Sequence, residues 1–230
     1  MAIVYDTDSE TQGTSTTTLT ITSLVVGNNA NRVLIVCTGS ESGTAGNRPV
    51  SSITWNTTET FSRAVFVENA SGGPNRSEIW YLINPTATTA NIVVTFGGAA
   101  FNTKMSVLSI YGAHQTTPID GVATNTENDD DPDITITTNT LNCLLVDSVM
   151  MSAASLVLTP DTPQVEISNQ NGSSSTHLSS YKDAATITTY TMSWAGVSAA
   201  QNSIVAAAIK PAVGVSQVYI HSMAMTGVGL

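Results

Sequence analysis

The feature that most constrains this chain is repeated along it. Short apolar segments of period two, rich in β-branched residues, are each closed by residues that form turns. Residues 16–23 alternate, with Leu19 and Ile21 on one face and threonines on the other. Residues 32–38 are apolar on both faces, the pattern of a central strand. Segments 51–55, 61–67, 78–83, 91–96 and 105–111 follow, and the later half adds 134–138, 144–150, 164–168, 175–182, 187–194 and 203–209. Gly27-Asn28-Asn29, Ser71-Gly72-Gly73-Pro74 and Gly97-Gly98 punctuate them. About fourteen short strands in an antiparallel β-sandwich or barrel is the expectation, all-β and without helix. The alanine-rich run 204–209 is the nearest to a helix. It is short, β-branched at both ends and closed by Lys210-Pro211, so it reads as strand.

The two halves echo each other. Asn31-Arg32-Val33-Leu34-Ile35-Val36 parallels Asn142-Cys143-Leu144-Leu145-Val146-Asp147, and Val93-Val94-Thr95-Phe96 parallels Thr191-Met192-Ser193-Trp194. Such a repeat fits two tandem sandwiches or one larger sandwich with duplicated halves. The join at residues 115–133 lacks the Gly/Ser character of a linker, which favours the single sandwich. The expected organisation is an N-terminal arm at 1–15, a sandwich at 16–212 and an apolar tail at 213–230. That tail carries Val218, Tyr219, Ile220, Met223, Met225 and Leu230 and no acidic or basic side chain beyond His221. A run this apolar has to pack somewhere, and those six residues are the candidates for subunit contact by strand addition.

Composition narrows the function. The 230 residues hold 7 Lys+Arg against 17 Asp+Glu, a formal charge of −10. Nucleic acid and anionic membrane surfaces are therefore poor partners. No apolar stretch reaches the length of a membrane span, and the start lacks the basic and apolar regions of a secretory signal. Cys37 and Cys143 each sit within a strand pattern and read as small buried hydrophobes. Acidic residues concentrate in 6–10 and 127–133; without these runs, 9 acidic residues remain against 7 basic.

No reaction centre assembles. In the acidic run, Glu127, Asp129, Asp131 and Asp133 are the calcium candidates, because calcium needs several oxygen ligands around one centre. The run lacks the glycine and distant glutamate of an EF-hand, so a solvated loop is the preferred reading. Asp6, Asp8 and Glu10 read as part of the solvated arm. Glu78, Trp80 and Leu82 share a strand face, but the position two residues from Glu78 is an indole rather than a second acid. The carboxylate pair of a sandwich glycosidase is thus missing, and a charge pair with Arg76 is favoured. His114, His177 and His221 show no metal-ligand spacing. No catalytic residue and no cofactor is expected, calcium at the acidic run being the one candidate.

Several phrases together resemble an all-β module of large bacterial surface proteins and phage virion proteins. They are Asn31-Arg32-Val33-Leu34-Ile35-Val36, Val50-Ser51-Ser52-Ile53-Thr54-Trp55, Ser77-Glu78-Ile79-Trp80-Tyr81-Leu82-Ile83-Asn84-Pro85, Tyr111-Gly112-Ala113-His114-Gln115 and Ala206-Ala207-Ala208-Ile209-Lys210-Pro211. The resemblance implies a jelly-roll-like or lectin-like sandwich and no established activity. The expectation is a non-enzymatic virion structural protein, a capsid decoration or fibre component, located in the virion. It would contact its own copies and other virion proteins. The alternative is a carbohydrate-binding module or adhesin at a cell surface, with a glycan as partner.

Overall fold

The computed structural model of the chain describes residues 2–42, 48–71, 74–129, 131–196 and 199–213. Fifteen strands run in order: β1 (Val4–Val25), β2 (Val33–Glu41), β3 (Val50–Trp55), β4 (Glu59–Thr60), β5 (Ser62–Asn69), β6 (Asn75–Ile83), β7 (Thr89–Tyr111), β8 (Ile119–Asp129), β9 (Asp133–Thr137), β10 (Cys143–Met151), β11 (Thr159–Pro160), β12 (Val165–Asn171), β13 (Thr176–Ala184), β14 (Thr189–Ala195) and β15 (Ala200–Ile209). No described residue is helical. The strand pairs are antiparallel throughout, as the period-two pattern requires.

Two long strands organise the first half. β1 and β7, of 22 and 23 residues, pair along almost their whole length. Residues 102–110 of β7 lie between β2 and the first part of β1, whereas residues 92–96 lie between β3 and the last part of β1. Each long strand therefore serves two layers. The inner layer reads β5-β6-β2-β7-β1 and the outer one β4-β3-β7-β1. In the second half the inner layer reads β12-β13-β10-β15-β8 and the outer one β11-β14-β9. The inner orders coincide once β5 is matched to β12, β6 to β13, β2 to β10, β7 to β15 and β1 to β8.

Irregularities repeat too, which packing alone does not require. A bulge between Arg63 and Val65 has its twin between Glu166 and Ser168, against matching positions of β6 and β13. Another between Tyr5 and Thr7 matches one between Ile119 and Gly121. The bulged residues are Asp6 and Asp120, and each ties down the turn before a central strand: Asp6 accepts from the Gly27 N–H at 3.4 Å, Asp120 from the Asn139 and Thr140 N–H groups at 2.5 and 3.1 Å. Asn31 and Asn142, just ahead of β2 and β10, adopt left-handed φ of 60° and 59°, a conformation asparagine tolerates better than most residues. The chain is a duplicated unit.

Three cores follow from four layers. Leu34 and Val36 on β2 point into the first half's own core with Trp55, Ile92 and Val94. Cys143, Leu145 and Val149 on β10 do the same in the second half with Met192 and Trp194. The opposite faces of both strands meet each other. Val33, Ile35 and Cys37 pack with Leu144, Val146, Val205, Ala207 and Ile209 in a seam between the two inner layers. Each Val, Leu or Ile among them contributes about 1.5–3 kcal/mol of transfer free energy. β2 and β10 are buried along their entire length because they are covered on both faces.

Two expectations change here. Residues 4–14 are not a free arm, since they pair with β7 as an edge strand. The join at 115–133 also contains a strand, β8, paired with β15 from Ile119 to Asp129. Each half thus closes its own sandwich and shares a third core with the other, an arrangement between the tandem and the single reading.

Candidate functional site

The seam changes character along its length. Toward the C-terminal ends of β2 and β10, its aliphatic residues give way to polar ones that bond across the halves. Ser77 donates to the Ser203 carbonyl at 2.8 Å, and the Ser106 and Ser179 hydroxyls lie 2.7 Å apart. Gln170 donates to the Met105 carbonyl at 2.9 Å. The Glu41 carboxylate accepts from Asn102 and Ser174, both at 2.7 Å. Lys104 is 1% exposed; its ammonium donates to Gln12 at 2.5 Å, and burial pulls its pKa down to about 8. Buried groups of this kind need such partners, since an unpaired one costs its full desolvation.

Ser148 and His177 look like catalytic parts but are wired otherwise. The Ser148 hydroxyl lies 3.1 Å from His177 Nε2, and both residues are completely buried. Burial, together with nearby Lys104, lowers the His177 pKa to about 3. Nδ1 of the ring has no hydrogen-bond partner among the described residues, so no carboxylate orients it. An imidazole this weakly basic cannot deprotonate a serine, and a nucleophile without access meets no substrate. The pair belongs to the seam.

Each half also buries one carboxylate against an indole. Glu78, 1% exposed, accepts from Arg76 Nε at 2.7 Å, Trp80 Nε1 at 3.1 Å and the Val50 N–H at 2.9 Å. The expected pairing with Arg76 is present, and Arg63 adds a second cation at 3.4 Å. In the other half, Asp147 accepts from Trp194 Nε1 at 2.9 Å and from the Ser180 N–H and hydroxyl at 2.6 and 3.0 Å. No salt bridge reaches it among the described residues, and burial lifts its pKa to about 7 against those three donors and the more distant charge of Lys182. Both carboxylates fasten strands to one another.

The calcium candidates divide among three elements. Glu127 and Asp129 end β8, Asp133 opens β9, and Asp131 lies in the turn between them, accepting from the Gly196 N–H at 3.0 Å. No group of three His, Cys, Asp or Glu side chains able to hold a metal ion occurs among the described residues. Val218, Tyr219, Ile220, Met223, Met225 and Leu230, the expected subunit contacts, lie outside the described residues, as does His221. Cys37 and Cys143 are free and buried, and burial pushes both thiols up, that of Cys143 to about 12.

A groove opens at the aliphatic end of the seam, where Tyr5 of β1 meets Tyr181 of β13. Its volume is about 230 Å³, and its walls include Ile3, Tyr5, Leu108, Leu144, Tyr181 and Asp183. The rings of Tyr5 and Tyr181 are nearly parallel, 11° apart with centroids separated by 6.0 Å. Tyr5 donates to Asp8, which together with burial raises its pKa to about 12, so the phenol stays protonated. Reading residues 1–15 as an arm hid this groove. The alternation of Asp6, Asp8 and Glu10 was the signal for the edge strand alone, since charge spaced this way is how an exposed edge is written. Comparison with known protein families, characterised proteins and solved structures finds no match for this chain.

Proposed function

We propose that the chain is a non-enzymatic structural protein of a virion, a capsid decoration or fibre component that works through contacts between subunits. The observation that carries this reading is the seam. Each half devotes one whole sheet face to the other, with an aliphatic core at one end and a bonded polar network at the other. Two sandwiches locked in this way form a stiff block suited to bearing load. Buried Ser77, Ser106, Ser179, Lys104, Glu41, Glu78 and Asp147 bond to neighbouring strands. The inner order β5-β6-β2-β7-β1 over β3-β7-β1, repeated in the second half, supports the jelly-roll-like reading that the resemblance implies. The virion setting rests on that resemblance.

Light scattering coupled to size exclusion tests the proposal on the full chain and on residues 1–212. The intact chain is expected to assemble into a closed oligomer, and the truncated chain to remain folded without assembling. An intact chain that stays monomeric at tens of micromolar contradicts the proposal. Carbohydrate binding is the competing reading, and selective retention on a glycan array by a monomeric chain would favour it.

A further inference from the structure

We propose that the groove between Tyr5 and Tyr181 receives a lysine side chain presented by a partner protein. The geometry supplies what an alkylammonium group needs. Leu108, Leu144 and Ile3 offer an apolar path for the methylenes, and two tyrosine rings stand at the mouth, Tyr5 being 45% exposed. Asp8 and Asp183 are exposed beside them. Cations are drawn to aromatic faces, and more so when carboxylates flank them. The Tyr5 hydroxyl donates to Asp8, which leaves that ring richer in electrons and its oxygen poorer in donors.

Charge complementarity decides the occupant. The ion pairs among the described residues involve Arg63, Arg76, Glu68 and Glu78, so neither Asp8 nor Asp183 is balanced by a cation there. Both carboxylates act on the rings: Asp183 and Asp8, after burial, raise the Tyr181 phenol above its ordinary value. An anionic ligand is thereby excluded. Because Tyr5 already occupies one oxygen of Asp8, a point-like ammonium fits better than the two-pronged guanidinium of arginine.

The duplication provides an internal control. Through the matched strand registers, Tyr5 corresponds to Ile119, Asp8 to Val122, Asp183 to Ile83 and Tyr181 to Tyr81. Apolar Ile119, Val122 and Ile83 thus stand at the equivalent edge. The Tyr and Asp residues of this groove are an addition that the fold does not require.

The test is a titration of the full chain with Nα-acetyl-lysine-N-methylamide, followed by the amide resonances of β1 and β13. Saturable shifts confined to the groove are expected, with a dissociation constant on the order of millimolar, since one cation–aromatic contact is worth little. Asp183→Asn and Tyr181→Ala should each weaken binding by roughly 3- to 10-fold, and added salt should weaken it further. Tyr81→Ala at the duplicated position should leave binding unchanged, and circular dichroism confirms that each variant is folded. The norleucine analogue, which keeps the chain and lacks the charge, should bind at least roughly tenfold more weakly. Equal binding of norleucine, binding of methyl glucoside without binding of the lysine probe, or no shift with any probe overturns the proposal.

Discussion

Asp147, in the second half's own core, and His177, in the seam, carry opposite pH dependences. Asp147 holds its proton up to about pH 7 in the folded chain and only to about 4 when unfolded. Its contribution is therefore complete below pH 4 and is lost as pH rises through 7. His177 stays neutral down to about pH 3 when folded but charges near 6.5 when unfolded, so its contribution is present above 6.5 and is lost as pH falls toward 3. Lys104, lowered to about 8, titrates above this window, and Asp120, lowered by hydrogen bonds from Thr140 and Asn139 against a larger burial effect, titrates below it. Between pH 4 and 6.5 the two slopes oppose, and the melting temperature should change little. Asp147→Asn should leave the His177 slope alone, with stability falling steadily as pH drops from 6.5 to 4. His177→Gln should leave the reverse, stability falling as pH rises from 4 to 7. Thermal melts at half-unit pH steps check both signs, and unchanged profiles in both variants contradict the assignment.

At the scale of elements, the acidic clusters find a physical reason. β1 and β8 occupy equivalent edges of the two inner layers, and Asp6, Asp8, Glu10, Asp120, Glu127 and Asp129 lie along them. Unpaired edges recruit other chains, and charge along them prevents it. Replacing Asp8 and Glu10 by valine should change stability by no more than about 1 kcal/mol, as surface substitutions do. Light scattering should nonetheless rise with time at constant temperature. The strands with strong alternation, such as 16–23 and 134–138, were legible because one face is core. β8 was missed because residues 121–126 are mostly small or polar and Val122 among them is exposed, so no apolar alternation marks the strand, which pairing with β15 holds in place. The repeat was legible in Asn31-Arg32-Val33 and Asn142-Cys143-Leu144, where left-handed asparagine opens each central strand. The groove was not legible, because Tyr5 and Tyr181 are 176 positions apart and meet only when the halves stack.

For the whole molecule, the governing claim is that two copies of one sandwich have become a single mechanical block. Separately, either half would expose a sheet face built from Val33, Ile35 and Ile79 or from Val146, Val205 and Ala207, an apolar patch that isolated domains do not tolerate. The polar end adds specificity, since Ser77 faces Ser203 and Ser106 faces Ser179 in one register only. A scanning calorimetry trace of the intact chain tests this claim most directly. One transition is expected, with its calorimetric enthalpy equal to its van't Hoff enthalpy, because opening the seam and melting either half are one event. Two resolved transitions, each with its own enthalpy, would show halves that unfold independently and would contradict it.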